Sequence, residues 1–171
     1  MMEDFTTRLA RAYATGAHAA IGQLRKYSAD PYIVHPIRVA GTVEAFGGNL
    51  DMISAAYLHD VVEDTQVTRL DIYHMFGPIV GRIVEDLTDV STPGKNRAER
   101  KAKDRAHSAS ASYEAQFVKC ADIIDNTRDI RYNAPAFWEI YHKEMVLLLG
   151  VLDKVKDTLI YEAAINAVTL K

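Results

Sequence analysis

Apolar residues recur at helical spacing along most of the chain, whereas the alternation expected of half-buried strands is scarce. This periodicity predicts helices at residues 3–20, 34–46, 50–63, 69–76, 79–89, 96–106, 113–130, 136–150 and 153–168. Gly47-Gly48 and Gly77-Pro78 separate neighbouring helices; Asn49 or Asp51 can cap the helix at 50–63, and Thr68 the next one. We therefore predict an all-α fold, a compact bundle of about eight to ten short helices.

The composition indicates a globular protein with one core. The 171 residues are 49% apolar and 25% charged, with a formal net charge of -3, so we expect a single domain over residues 1–171. Without a basic excess we expect no nucleic-acid partner, and no apolar run is long enough to span a membrane. Cys120 is the only cysteine, which excludes an intrachain disulfide and favours a cytoplasmic location. The apolar C-terminal helices are a candidate interface for a homo-oligomer.

One segment departs from the acidic balance of the whole chain. Only Glu99 and Asp104 oppose its basic side chains, which are Lys95, Arg97, Arg100, Lys101, Lys103 and Arg105. Such a local excess of positive charge either receives phosphate groups or forms a solvated helix face, and the solvated face is the more frequent case.

The run from Ala55 to Thr65 places ligand-type side chains where a predicted helix leaves the core. His59 and Asp60 follow an apolar stretch directly, and Glu63 and Asp64 come one helical turn later. The i,i+4 spacing puts His59 with Glu63, and Asp60 with Asp64, on shared helix faces. The first two residues are of metal-ligand type, and the acidic pair is placed to handle a water molecule.

Two other segments supply further candidate ligands. His35 lies where the loop Pro31–Pro36 enters a predicted helix, and Asp122 lies in the segment 119–128. With His59 and Asp60 they form a set of two imidazoles and two carboxylates, which suits Mn, Fe, Zn or Ni better than Mg or Ca. Neither spacing nor composition shows that these segments meet in the folded chain.

The order of these residues, and the sequence around them, resemble a known family. The order His, His-Asp, Asp resembles the HD phosphohydrolase superfamily, and longer matches resemble the hydrolase domain of RelA/SpoT proteins. Those matches are Tyr13–His18, Gly22–Lys26, Pro31–Ala40, His59–Thr65, Phe76-Gly77 and Val118–Asp122 with Asn126. The likeness runs from about residue 8 to 130 and is closest to stand-alone small alarmone hydrolases of the metazoan SpoT homologue type. It implies an HD-domain architecture for the predicted bundle.

The resemblance also implies an activity and a role for each matching residue. The family reaction removes the 3′-pyrophosphate from guanosine tetra- or pentaphosphate, (p)ppGpp, and yields pyrophosphate and GDP or GTP. The implied ligands, usually for Mn2+, are His35, His59, Asp60 and Asp122. The implied acidic pair that orients or deprotonates the attacking water is Glu63 and Asp64. The implied substrate-binding residues are Arg25, Lys26, Lys95 and Asn126.

One departure from the family pattern bears on function. Asp125 stands where many relatives carry histidine or tyrosine, so either its charge points away from the site or the substrate preference has changed. A changed preference would suit an HD phosphatase on another nucleotide, such as NADPH or an adenosine analogue. A third hypothesis is a non-catalytic binding module. The intact ligand set argues against it, because buried charges are costly to keep without a metal ion. The chain stops near residue 171, so we expect no synthetase domain and hydrolysis alone.

Overall fold

Nine α-helices and one short 3-10 helix make up the regular structure of residues 4–91, 94 and 96–169, which the computed structural model describes. In chain order they are α1 (Phe5–Ala20), α2 (Val34–Ala45), α3 (Leu50–Leu58), α4 (Val61–Asp64), α5 (Arg69–Leu87), α6 (Arg97–Ser110), α7 (Tyr113–Asn133), α8 (Pro135–Leu149), the 3-10 helix (Asp153–Val155) and α9 (Leu159–Thr169). Within these ranges the β-type pairing is one isolated bridge between Leu24 and Pro31. The all-α prediction is confirmed.

Polar caps fix where two of the helices begin. The side chain of Asn49 accepts a 3.0 Å hydrogen bond from the Met52 backbone N–H, so Asn49 is the cap of α3 and Asp51 lies in its first turn. Thr68 and Asp71 form a reciprocal capping box at the start of α5. Each cap satisfies N–H groups that have no partner inside the helix.

The helix predicted at 50–63 was wrong in its continuity, because α3 ends at Leu58 and α4 begins at Val61. Nδ1 of His59 lies 2.7 Å from the carbonyl oxygen of Ala56. An uninterrupted helix would offer that carbonyl to the Asp60 N–H, so the imidazole competes with the backbone for it. The interruption falls at the two residues of greatest chemical interest.

The predicted break at Gly77-Pro78 is confirmed as a kink, whereas the last predicted helix is divided. The helices predicted at 69–76 and 79–89 are the two arms of α5, which meet at Gly77. Its backbone angles (φ 82°, ψ 174°) are non-helical, and its positive φ is open to glycine and strained for other residues. The helix predicted at 153–168 divides into the 3-10 helix and α9. The Thr158 hydroxyl donates to the Val155 carbonyl at 2.6 Å and ends the first piece.

Helices α3 and α7 form the centre of the bundle. α3 packs on α1, α2, α5 and α7, whereas α7 packs on α2, α3, α5, α8 and α9. Every residue from Met52 to Leu58 in α3 is buried, which explains why this segment lacks a polar face. The three ligand-bearing segments lie at the start of α2, the end of α3 and the middle of α7, three helices in mutual contact.

The single cysteine of the chain lies in the core. Cys120 on α7 is a free cysteine with no exposed surface, and burial raises the pKa of its thiol to about 12. Among the residues that the structure describes, no helix combines the length and the apolar character needed to cross a membrane. The cytoplasmic location stays a prediction.

Candidate metal centre and active site

His35 enters the site from the first turn of α2 and is 1% exposed. Its Nδ1 lies 2.7 Å from Oδ2 of Asp125, a carboxylate buried on α7. Because an ionised carboxylate only accepts hydrogen bonds, Nδ1 carries the proton in neutral His35. The unprotonated Nε2 therefore faces the centre of the cluster.

His59 reaches the same point from the end of α3 and is 2% exposed. Its Nδ1 donates to the Ala56 carbonyl, so its Nε2 is also directed inward. The two Nε2 atoms lie 3.2 Å apart, with the ring planes inclined at 68°. Two inward-facing nitrogen lone pairs thus converge on one small volume.

Asp60 and Asp122 complete the cluster with oxygen atoms. Oδ2 of Asp60 lies 3.1 Å from Nε2 of His59 and 3.6 Å from Nε2 of His35. Oδ1 of Asp122 lies 3.2 Å and 3.8 Å from the same nitrogens of His35 and His59, respectively. Ligand atoms of His35, His59 and Asp60 all lie within 4.8 Å of one another. The structure thus brings together the four side chains that the sequence analysis selected as ligands.

The charges of the imidazoles reflect this arrangement. Burial alone would lower the pKa of both rings. Hydrogen bonds to Asp122 and Asp125 nevertheless raise the pKa of His35, and Asp60 with Asp122 raises that of His59 well above its usual value. The surroundings therefore favour positive charge on or beside the two rings.

The two carboxylates show the complementary effect. Burial alone would raise their pKa, but His59 lowers the pKa of Asp60, and Lys119 with the imidazoles lowers the pKa of Asp122. Ionised carboxylates beside imidazole nitrogens form the mixed N/O donor set that divalent transition ions accept. The residues present therefore fit a divalent metal ion.

Glu63 of α4 lies beside the cluster. Its Oε1 accepts a 2.7 Å hydrogen bond from the backbone N–H of Asp89, and the side chain lines the pocket that opens over the cluster. Loss of water around the carboxyl group raises the pKa of Glu63 to about 7, and the negative charges of Asp89 and Asp60 add to this. A carboxyl group with such a pKa exchanges a proton near neutral pH.

Asp64, the other member of the predicted acidic pair, faces a different neighbour. Its Oδ2 accepts a 2.8 Å hydrogen bond from the side-chain amide of Gln23, and the residue is exposed. It does not line the pocket that Glu63 lines. The structure thus keeps the two carboxylates adjacent in sequence but directs them to different surroundings.

The predicted substrate-binding arginine is part of a buried ion pair. Nη2 of Arg25 lies 2.7 Å from Oδ2 of Asp129 and 3.0 Å from Oδ1 of Asn126, and the Arg25 side chain is 9% exposed. Lys26 is exposed, and its ammonium lies 5.3 Å from the ring centre of the neighbouring Tyr27. Neither basic residue lines the pocket over the cluster. Their substrate-binding roles stay predictions.

Asn126, the third of these residues, does line the pocket. Its amide nitrogen donates a 2.6 Å hydrogen bond to Oδ1 of Asp122. Its amide oxygen accepts from Arg25, which links the buried ion pair to the cluster. Lys95, the fourth, lies outside the described residues.

Comparisons with known proteins agree with this geometry. The sequence model of the HD domain family matches residues 10–136. This chain belongs to the HD domain family. Its relatives include the guanosine-3′,5′-bis(diphosphate) 3′-pyrophosphohydrolase MESH1 of Drosophila melanogaster, with 35% identity over 132 residues, 75% of this chain and 73% of that protein. MESH1 of Mus musculus is 38% identical over 140 residues, 80% of this chain and 77% of its own length.

Solved structures show the same HD architecture. A structure described as a metazoan ortholog of SpoT that hydrolyzes ppGpp and plays a role in starvation responses superposes with a TM-score of 0.81. It is 30% identical, and the match covers 98% of this chain and 96% of that chain. The crystal structure of lmo0812 from Listeria monocytogenes, 23% identical with a TM-score of 0.68 over 81% of this chain and 95% of that one, shares the fold.

The pocket of this HD-domain protein opens directly over the cluster and has a free volume of about 210 Å³. Asp60, Glu63 and Asp122 line it, together with side chains of α6 and α8. The basic groups that line it are Lys101, Arg105 and Lys119. Two members of the basic segment thus face the pocket, whereas Arg97 instead pairs with Glu144 at 2.6 Å.

Two pocket residues received no role in the sequence analysis. The Tyr32 hydroxyl donates a 2.6 Å hydrogen bond to Oδ2 of Asp60, and burial with that carboxylate raises the pKa of Tyr32, so it remains a donor. Lys119 lies 3.4 Å from Oδ2 of Asp122. Burial alone would lower the pKa of Lys119, but Asp122, Asp89 and Glu63 raise it. The i,i+3 spacing of Lys119 and Asp122 on one predicted helix was a usable signal.

Proposed function

We propose that this protein hydrolyses the 3′-pyrophosphate of guanosine tetra- or pentaphosphate to pyrophosphate and GDP or GTP, in keeping with a stringent-response hydrolase. The MESH1 relatives are named for this activity on guanosine-3′,5′-bis(diphosphate). The observation that carries the proposal is the cluster of two buried imidazoles, His35 and His59, with Asp60 and Asp122. The two carboxylates line a pocket together with Glu63 and three basic side chains.

For the metal ion we propose Mn2+, held by two imidazole nitrogens and two carboxylate oxygens. This donor set contains no thiolate and mixes nitrogen with oxygen, which suits Mn2+ better than Mg2+ or Ca2+. When bound, the ion acidifies water and offsets the negative charge of phosphoryl oxygens. The calcium- and magnesium-type alternative would require a site made of oxygen ligands alone.

The protein's own groups supply the remaining steps. Glu63 accepts a proton from the attacking water, because its carboxyl group titrates near neutral pH and its backbone partner at Asp89 holds one oxygen in place. Lys119, Lys101 and Arg105 face the same pocket and offset the charge of a polyphosphate substrate. Tyr32 orients Asp60 through its hydroxyl.

The position of Asp125 removes the observation that favoured an HD phosphatase acting on another nucleotide. Asp125 does not line the pocket over the cluster, and its carboxylate lies behind His35. The side chain points inward, to His35, and it adds no charge to the pocket surface that would receive the substrate. The guanine 3′-pyrophosphate therefore stays the substrate we propose, ahead of NADPH or an adenosine analogue.

We also propose that residues 1–171 form one HD hydrolase domain. The match to the family ends at residue 136, but α8 supplies Tyr141, Glu144 and Met145 to the pocket wall. Helix α9 packs on α7, the helix that carries Asp122. The helices beyond the family match thus belong to the same core.

Incubation of the purified protein with Mn2+ and guanosine tetraphosphate tests the activity. The measured quantity is released pyrophosphate, compared across a panel with NADPH and adenosine nucleotides. We expect the highest kcat/KM for the guanine 3′-pyrophosphates. Absence of turnover with Mn2+ bound, or a higher kcat/KM for another nucleotide, would remove this assignment.

A further inference from the structure

Two carboxylates of α7 hold His35 from opposite sides. Asp122 lies 3.2 Å from its Nε2, and Asp125, one turn further along the helix, lies 2.7 Å from its Nδ1. Asp125 is 6% exposed, so the second contact is shielded from water. A short hydrogen bond between a buried imidazole and a buried carboxylate strongly restricts the ring's orientation.

We propose that Asp125 is a positioning residue for the metal centre: it fixes the tautomer and orientation of His35 and thereby strengthens metal binding. The inference rests on the metal site in the proposed function. A carboxylate that accepts from Nδ1–H leaves the Nε2 lone pair free for a metal and makes that nitrogen a better donor.

The other imidazole offers an internal comparison. Nδ1 of His59 donates to a backbone carbonyl, that of Ala56, which is neutral. Nδ1 of His35 donates to a charged side chain instead. Both rings donate through Nδ1 at 2.7 Å, but only the partner of His35 adds a negative charge and can be changed by substitution. Substitution of Asp125 therefore changes the charge next to one metal-binding imidazole without changing a ligand.

A purely structural ion pair does not explain the placement of Asp125. Its nearest guanidinium group, on Arg38, lies 4.0 Å from Oδ1, and the Arg38 side chain is 49% exposed. Such an exposed contact contributes little to stability. The shorter and better shielded interaction is the one with His35, and Asp125 borders a separate groove between α2 and α7 rather than the pocket over the cluster.

Substitutions that separate charge from shape test the proposal. Asp125→Asn keeps an oxygen that accepts a hydrogen bond but removes the charge, and Asp125→Leu removes both. Asp129→Asn is the matched control, because Asp129 is another buried carboxylate of α7 but contacts none of the four ligands; it reaches the cluster only through Arg25 and Asn126. Mn2+ affinity is measured by calorimetry on chelator-treated, dialysed protein without any nucleotide.

We expect Asp125→Asn to weaken Mn2+ binding on the order of tenfold and Asp125→Leu up to about a hundredfold, with Asp129→Asn at the wild-type affinity. Unchanged affinity in both Asp125 variants would overturn the proposal, as would an equal loss in Asp129→Asn. If Asp125→Leu fails to fold, the near-isosteric Asp125→Asn decides the question.

A second readout does not depend on the metal. At a pH high enough to leave His35 neutral, long-range 1H–15N spectra of the imidazoles report which nitrogen of His35 carries the proton. We expect Nδ1–H in the wild type and loss of that preference in Asp125→Leu. An unchanged tautomer in Asp125→Leu would contradict the proposal. Failure of the wild-type protein to bind Mn2+ would refute the proposed metal centre. The tautomer measurement would still test whether Asp125 fixes the protonated nitrogen of His35.

Discussion

The side-chain amide of Gln23 donates a 2.8 Å hydrogen bond to Oδ2 of Asp64, 41 residues further along the chain. Its amide oxygen lies 2.6 Å from Nδ1 of His18, a histidine that is 1% exposed. Because the buried ring donates to the oxygen, the NH2 group of Gln23 must face the carboxylate. His18 thus fixes the orientation of Gln23, and Gln23 in turn holds the Asp64 carboxylate.

The family resemblance implies that Asp64 acts with Glu63 on the attacking water. On that role we predict that Gln23→Leu, which removes the hydrogen bond that holds the Asp64 carboxylate, lowers kcat by up to about tenfold. Gln23 does not line the pocket, so KM should change little. Steady-state kinetics with guanosine tetraphosphate measures both parameters. Gln23→Glu should be at least as damaging, because it places two carboxylates side by side. A wild-type kcat in both variants would show that Asp64 needs no such support.

Replacement of Glu63 separates proton transfer from metal binding. Glu63 makes its resolved hydrogen bond to the Asp89 backbone and not to the cluster, so we expect Glu63→Gln to keep its Mn2+. Turnover should fall by about 10²- to 10⁴-fold, the usual contribution of a general base. Calorimetry and pyrophosphate release measure the two effects. Loss of Mn2+ would make Glu63 a ligand, and unchanged turnover would remove its acid–base role.

Asp89 offers a test of the pH dependence. Desolvation of the carboxyl group raises the pKa of Glu63 to about 7, with the charge of Asp89 as the next contribution. Asp89→Asn removes that charge and keeps the backbone N–H, so the pKa of Glu63 should fall. The basic form that accepts a proton then persists to lower pH. The acidic limb of the kcat/KM profile should therefore shift to lower pH than in the wild type, and an upward shift would contradict the assignment.

Replacement of Arg25 should lower the free energy of unfolding, because its guanidinium group is part of a buried ion pair. Arg25→Met leaves the buried Asp129 carboxylate without its partner, which costs about 3–5 kcal/mol in comparable sites. Urea denaturation measures the loss. The exposed neighbour provides the control, because Lys26→Met should change the free energy of unfolding by no more than about 0.5 kcal/mol. A small loss in Arg25→Met would instead favour the substrate role that the family resemblance implies.

The sequence predicted the helices well because apolar spacing and capping residues are local signals. Thr68, Asn49 and Gly47-Gly48 act where the pattern placed them. The interruption at His59 could not be predicted in the same way. It depends on whether the His59 imidazole or the Asp60 backbone N–H donates to the Ala56 carbonyl. That choice is set by the packing around the end of α3.

The candidate site shows the same division. The resemblance selected His35, His59, Asp60 and Asp122, and the three helices that carry them do meet. It did not reveal that Asp125 would pair with His35, because that contact depends on how α7 is rotated against α2. It likewise did not reveal that Arg25 would be occupied by Asp129, a partner 104 residues away in sequence.

The burial of Cys120 has a practical consequence. Alkylating and oxidising reagents attack exposed thiolates, and this sulfur is neither exposed nor readily ionised. Since Cys120 lies two residues before Asp122, a maleimide can react only when the middle of α7 leaves the core. The rate at which this single thiol is labelled therefore measures how often α7, the helix that carries Asp122, opens away from the core.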